Sequence, residues 1–321
     1  MKSAPGRDMR ASPISAVSRD GQPLPFSRAP AADLMPWITR LFVTEVEAPD
    51  DHVIDCGVFN DTCFVRVLLS GRWWAETADG PVHHDGGALF FGPQSRRMPV
   101  RVEGSFDMIG FGLRPGACHA LRGPKVAAMV NRIIPLKEVG GSPRLHEILS
   151  APGLSKLDAL LLLEEHVRVA ILSRSALPPD SITTFFDRAA FADPTFAIAD
   201  FARDCAIDQR RLQRLIKRDF GMPPKQVLRR ARVLDMASDL RGMTDDAESE
   251  ALAMRYSDQS HLIREFVKFM GQTPAQFIPP PQPIITLTLE VRQARRLEEL
   301  GRLKSGAVRP WANEQATKTA D

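Results

Sequence analysis

"LQRLIKRDFGMPPKQ", Leu212 to Gln226, and "LIREFVKFMGQTPAQ", Leu262 to Gln276, are one unit written twice, fifty residues apart. Leu212 falls on Leu262, Arg214 on Arg264, Arg218 on Lys268, Gly221 on Gly271, Pro224 on Pro274 and Gln226 on Gln276. Self-similarity at a fixed offset marks a supersecondary unit used more than once. Each copy has the grammar of a helix with a defined end. In the first, Asp208 can cap the start, Leu212, Leu215, Ile216 and Phe220 share one face, and Gly221 can take the left-handed conformation that stops the helix. In the second, Ser257 or Asp258 caps, Leu262, Phe266, Phe269 and Met270 form the apolar stripe, and Gly271 stops it. The polar faces are therefore expected in solvent.

A shorter helix precedes each copy, "IADFARDC" (Ile198 to Cys205) and "ESEALAMR" (Glu248 to Arg255), with a small residue, Ala202 or Ala251, where two helices would approach closely. Helix, tight turn and exposed second helix make a helix-turn-helix unit, whose second helix fits the major groove of DNA. Charge agrees: Arg210, Arg211, Arg214, Lys217, Arg218, Lys225, Arg229, Arg230 and Arg232 stand against one acid, Asp219. Such a run is often only a solvated face, but together with the repeat it favours phosphate binding by counterion release and base reading by paired hydrogen bonds.

At this point "FARDCAIDQRRLQRLIKRDFGMPPKQVLRRARVLDMASDLR" and "ALAMRYSDQSHLIREFVKFMGQTPAQF", from about Pro194 to Phe277, resemble the DNA-binding domain of the AraC/XylS family of bacterial transcription regulators. The resemblance implies a seven-helix domain with two helix-turn-helix units joined by a linker helix, Pro224 to Leu240. It implies base-reading residues Arg210, Gln213 and Arg214 in the first unit and Gln259, Ser260, Ile263 and Arg264 in the second. Arg211 and His261 are then placed at the DNA backbone, and Lys217 extends the contact set. Two departures stand out. Ala206 and Arg255 sit where the family usually has a turn glycine, and a non-glycine residue held left-handed costs roughly 1 to 2 kcal/mol. Glu250 takes a position usually aliphatic, which predicts a short or loosely packed first helix in the second unit.

Upstream, short apolar runs alternate with turn residues between residues 37 and 114, as in "HVIDCGVF", "CFVRVLLSG", "RWWAET", "GALFFG" and "FDMIGFGL". They predict a β-rich barrel or sandwich, cupin-like, followed by a helix over Leu154 to Ser173 and then the all-α domain, an α+β chain. "FFGPQSRRMPV" and "MIGFGLRPGACHAL" resemble the β-rich sensor domain, of unknown ligand, in one branch of the same regulators. The expected organisation is a flexible leader over 1–33, a sensor or dimerisation domain over 34–178, the double helix-turn-helix domain over 182–278, and a Pro-rich break with a polar tail over 279–321. In that tail "TLEVRQARRLEELGRLKSG" reads as a solvated helix.

Composition sets the remaining bounds. Hydrophobic residues make up 44% and charged residues 25%, and the net charge is only +3 with a pI near 8.8, so a polyanion must meet a local patch. No run of ~18 apolar residues implies a membrane span, and the N-terminus lacks the apolar stretch of a secretory signal. Cys56, Cys63, Cys118 and Cys205 have neither disulfide nor zinc spacing. His83 and His84, adjacent on a strand, would point to opposite faces and cannot easily share a metal. Trp73, Trp74, Phe91 and Arg97 are candidates for an effector pocket, with core packing the plainer reading, and Arg114 either pairs with an acidic effector or fixes a turn. No G-x-S-x-G or Gly-rich phosphate loop indicates an enzyme, and no cofactor is expected.

The reading is therefore a cytoplasmic, sequence-specific regulator, an activator by family habit, with promoter DNA and RNA polymerase as partners and room for a small-molecule effector and a homodimer. A constitutive architectural DNA-binding protein is the alternative. A DNA-repair methyltransferase fused to this domain would need a reactive cysteine, and "GACHA" around Cys118 is a poor match.

Overall fold

The computed structural model describes residues 4–13, 16–255, 259–304 and 306–313, without the side chains of Arg255 and Gln259. Four short strands come first, β1 (Ser12–Pro13), β2 (Ala16–Val17), β3 (Pro23–Leu24) and β4 (Phe26–Arg28). The main strands follow as β5 (Ile38–Glu47), β6 (Val53–Val58), β7 (Phe64–Thr77), β8 (Gly80–His84), β9 (Gly87–Phe91) and β10 (Met98–Leu113). After helices α1 (Ala117–Ala120) and α2 (Val126–Met129) come β11 (Ile133–Pro135), α3 (Leu145–Leu149) and α4 (Lys156–Leu172). The rest is helical: α5 (Ser181–Ala192), α6 (Ile198–Asp204), α7 (Gln209–Phe220), α8 (Pro224–Leu240), α9 (Asp246–Arg255), α10 (Gln259–Met270), α11 (Pro274–Phe277) and α12 (Pro283–Glu299).

Nine strands form one antiparallel sheet in the order β1-β5-β10-β7-β9-β11, with β4 on β5, β6 on β10 and β8 on β7. That order does not close on itself, so of the two expected architectures the layered, sandwich-like one stands and the closed barrel does not. The first half of β10 alternates buried and exposed residues, whereas its second half, Met108 to Leu113, is buried almost throughout. A strand loses its alternation where both sheet faces are covered. On one face Ile38, Val43, Val65, Ile109 and Phe111 pack with Leu160, Leu163 and Val167 of α4, which Ser155 caps by accepting from the Asp158 amide. On the other, Phe42, Ile54, Trp73, Val102 and Phe106 join a cluster with Val233, Leu234 and Ala237 of α8, Phe266 and Phe277 of α10 and α11, and Ile284, Ile285 and Leu289 of α12.

The segment expected as a solvated helix is the most buried helix described: every residue from Pro283 to Leu297 is buried in α12. Its charges survive there because each has a partner, as buried ions require. Arg292 donates to Asp61 at 3.0 Å and to Asp235 at 2.8 Å. Arg295 pairs with Asp187 and Arg296 with Glu248, while Glu290 takes Arg309 at 2.6 Å. Asp61 precedes β7, Asp187 lies on α5 and Asp235 on α8, so α12 ties the sheet to the helical half. The leader is not loose either: β4 pairs with β5, and Leu24 is buried with Met243, Leu297 and Trp311.

Candidate nucleic-acid interface

The first unit, α6 and α7, is built as the repeat predicted. Asp208 accepts from the Arg210 and Arg211 amides at 3.0 Å each, and Gly221 closes α7 at φ 77°. Leu212, Ile216 and Phe220 are buried with Phe186, Ala190, Ala202, Val227 and Leu228. The turn does hold Ala206 left-handed, at φ 50°, while Arg255 is the last residue of α9.

Burying that stripe turns Arg210, Arg211, Gln213, Arg214 and Lys217 outward, all exposed. Among the described residues none of the four cations on that face forms an ion pair. An uncompensated cationic face beside a capped helix N-terminus has the electrostatics for a phosphate backbone, and three- and four-residue spacings place Arg210, Gln213, Arg214 and Lys217 on one side. Gln209, also exposed, opens the same face and escaped the sequence reading because it lies outside the repeated unit.

The rest of the cationic run is spent inside the protein. Arg230 is 1% exposed and donates to the carbonyls of Asp61 at 2.6 Å and Gln94 at 3.1 Å. Arg229 and Arg232 hold the buried Glu265 carboxylate at 2.5 and 2.9 Å, and Arg218 pairs with Asp219 at 2.7 Å. Burial alone would raise the Glu265 carboxyl, but hydrogen bonds from Arg232 and Arg229 outweigh it and keep the group below its ordinary value. The expected nine-residue patch therefore shrinks to the α7 cations and Lys225, which stays exposed at the start of α8.

In the second unit Leu262, Phe266, Phe269 and Met270 are buried as expected, leaving Ser260, His261, Ile263 and Arg264 exposed, with Val267 and Lys268 beyond them. Ser257 and Asp258, the expected caps, and the Gln259 side chain lie outside the described residues. Ala251 is exposed and Leu252 is buried against Leu262. The expected small-residue contact is displaced by one place, since the fifty-residue offset that lays Leu212 on Leu262 also lays Ala202 on Leu252. Glu250 is exposed and α9 runs ten residues, so the helix is not short. Its acid of consequence is Glu248, buried against Arg296 and Arg302. Between the units, the seventeen residues of α8 make a rod of about 25 Å.

The five residues nominated for an effector do not share one ligand-sized site, and Trp73 is core, its ring edge-on to Phe106 with centroids 5.1 Å apart. Trp74 lies against His83 with ring centroids 4.7 Å apart and planes tilted by 30°, and Phe91 lies under the Arg66 guanidinium at 4.6 Å. They line a cavity of only about 20 Å³, room for a water. Arg97 instead reaches Gln282 at 3.5 Å, with its amide on the Phe269 carbonyl at 2.7 Å. Arg114 holds Glu299 at 2.5 Å and the Met35 carbonyl at 2.5 Å. Both arginines thus serve the two ends of α12. Among the described residues no group of three or more His, Cys, Asp or Glu could hold a metal ion, and no helix is long and apolar enough to cross a membrane.

Residues 201–278 match the family model of a helix-turn-helix domain, and residues 27–135 match a domain of unknown function, DUF6597. No curated protein sequence matches the chain. Among solved structures, ToxT from Vibrio cholerae, crystallised with an unsaturated fatty acid, is similar at 10% identity and a TM-score of 0.43, over 74% of this chain and 94% of that one. The AraC-like transcriptional activator CuxR is similar at 16% identity and a TM-score of 0.28, over 66% of this chain and 86% of that one.

Proposed function

We propose a function from the premise that the chain is an AraC-type helix-turn-helix transcription regulator: it binds promoter DNA with α7 and α10 in successive major grooves. The observation that carries this reading is the exposed, unpaired cationic face of α7 on a helix whose other face is locked in a core. Arg210, Gln213 and Arg214 read base edges, and Arg211 and Lys217 neutralise phosphates. From α10, Ser260, Ile263 and Arg264 read bases, His261 meets the backbone, and Gln259 belongs to the same set. The rod of α8 sets the distance between the two helices, against the ~34 Å that separates successive major-groove segments on one face of DNA.

The sheet domain senses a small molecule and shifts the population of DNA-competent geometries by binding one of them better. The chain acts in the cytoplasm, as a regulator rather than an enzyme, with RNA polymerase as a partner and a second copy of itself as another. The sensor, domain boundaries and partners rest on the resemblance and on the separate core of the first helix-turn-helix unit, whereas the second unit shares its core with the sheet. Selection of bound fragments from genomic DNA with the full chain, repeated over a salt series, tests the reading. Enrichment of one motif with two half-sites about a helical turn apart supports it. Binding without sequence preference at every salt concentration leaves the architectural alternative in its place.

A further inference from the structure

The sheet face beneath α4 is incompletely filled. A cavity of about 420 Å³ opens there, within the ordinary range for small-molecule sites. Val65, Phe90 and Phe111 of the sheet form its floor, and Val167 and Ile171 of α4 its opposite wall. Polar groups gather at the rim: Arg122, His166 and Arg174 line the cavity and no Asp or Glu does. Arg122 is exposed, held left-handed at φ 56°, and forms no ion pair among the described residues. Among the described residues Arg174 donates only to neutral carbonyls, Ala170 at 2.7 Å and Gly140 at 3.2 Å, and so covers the negative end of α4 while keeping its charge uncompensated. An apolar chamber with two unpaired guanidiniums at its mouth is complementary to one ligand chemistry, an apolar body ending in an anion.

The cavity wall also leads to the DNA-binding half. Cys118, Leu121 and Arg122 line the cavity, and the same segment continues into α2. Val126 belongs to the sheet core and Val130 packs into the core of the first helix-turn-helix unit. A Cβ at Gly221, the end of α7, would lie 2.8 Å from a Val130 methyl and 3.2 Å from the Val126 carbonyl oxygen. A Cβ at Gly116, just before α1, would lie 3.3 Å from the Asp219 carboxylate of α7. The segment that bounds the chamber is thus the rest on which the end of α7 sits.

We propose that this chamber is the effector site, that it takes an amphiphilic monocarboxylate with an apolar body of about ten carbons, and that α7 feels its occupancy through the α1–α2 segment. The carboxylate sits on Arg122 and Arg174, and the body lies between α4 and the sheet. This rests on the reading of the chain as an effector-responsive DNA-binding regulator.

The test uses the full chain with decanoate, 1-decanol and decyltrimethylammonium, followed by calorimetry and thermal unfolding. Decanoate is expected to bind and raise the unfolding midpoint, decanol to bind at least tenfold more weakly, and the cation not at all. Replacing both Arg122 and Arg174 by Ala should cost decanoate at least tenfold in affinity and leave decanol unchanged. Ala170→Phe, which fills the chamber from α4, should abolish both, with the unfolding midpoint reporting that the variant is folded. Equal affinity for decanoate and decanol, or indifference to the arginine pair, overturns the carboxylate. Retained binding in Ala170→Phe overturns the location, and binding of none of the three probes overturns the site. A tenfold or larger change in affinity for a selected DNA fragment on adding decanoate supports the link to α7, and no change overturns it. Failure of the chain to bind any DNA, with decanoate binding intact, counts against the regulator reading and not against the chamber.

Discussion

The Arg230 guanidinium of α8 donates to the backbone carbonyl of Asp61 at 2.6 Å, across the boundary between the helical half and the sheet. Burial lowers this arginine to about 10, still far above neutral pH, so it stays charged inside the protein. A residue that sequence alone assigns to phosphate is therefore a strut. Arg230→Ala leaves two carbonyls without their donor, and hydrogen bonds from a charged group contribute roughly 1.5 to 3 kcal/mol. Urea unfolding should show a loss of that size, while the salt slope of DNA binding stays as in the parent. A reduced slope with unchanged stability would return Arg230 to the DNA surface.

Arg214→Ala should behave in the opposite way. The side chain is exposed and unpaired, so stability is expected to move by no more than about 0.5 kcal/mol. Loss of a bidentate base contact should weaken specific binding by roughly 1 to 3 kcal/mol and relax sequence preference at one position. Lys217→Ala should weaken all sequences alike and reduce the salt slope by about one. Anisotropy titrations of both variants on matched and mismatched duplexes separate the two roles, and unaltered preference in Arg214→Ala removes that residue from the reading set.

Ala206 offers a gain. At φ 50° it occupies a conformation that costs a non-glycine residue roughly 1 to 2 kcal/mol. Glycine removes that cost but adds about 0.4 to 1 kcal/mol of freedom to the unfolded chain. The difference predicts that Ala206→Gly stabilises the protein by about 0.5 to 1 kcal/mol, measurable as a higher urea midpoint at unchanged slope. A lower midpoint would mean that the methyl group of Ala206 contributes packing that outweighs the backbone strain.

Glu265 sets a pH dependence. Hydrogen bonds from Arg232 and Arg229 outweigh burial and keep its carboxyl below the ordinary 4.5 in the folded state. A carboxylate lowered by folding stabilises fully above the unfolded value, and that stability is lost as pH falls through the folded one. Between about pH 6 and about pH 3, Glu265→Gln should therefore lose less stability than the parent while starting lower. Parallel loss in the two proteins would show that this pairing contributes nothing.

The helix-turn-helix half was legible because its information is local. Caps, glycine stops and a stripe at helical spacing all lie within one segment, and the offset from Leu212 to Leu262 confirms them against each other. Beyond the one-place shift from Ala251 to Leu252 and the omission of Gln209, what stayed hidden were the partners of Arg229, Arg230 and Arg232, because Glu265, Asp61 and Gln94 are distant in sequence. For α12 the same blindness is larger. "TLEVRQARRLEEL" has the charge density of a surface helix, and nothing in it announces that Asp61, Asp187, Asp235 and Glu248 will meet its arginines. The effector residues failed for a related reason. An aromatic or arginine in a strand says that it will be covered, not by what, and Arg97 and Arg114 turned out to face α12.

That helix supplies the strongest stability prediction. A chain ending at Ile278 loses Ile284, Ile285, Leu287, Leu289 and Val291 from the larger core, each worth about 1.5 to 3 kcal/mol when buried. It also strands Asp187, Asp235 and Glu248, and removing one partner of a buried pair costs roughly 3 to 5 kcal/mol. Their sum exceeds the roughly 5 to 15 kcal/mol by which domains are ordinarily stable. The truncated chain should therefore fail to give a cooperative unfolding transition, although every residue assigned to DNA is still present. Ile285→Ala in the full chain, a single cavity at one end of α12, should cost about 2 to 5 kcal/mol and leave the fold intact. Circular dichroism with thermal melting decides both, and a soluble truncated protein with a sharp transition would reduce α12 from a structural brace to a dispensable cover.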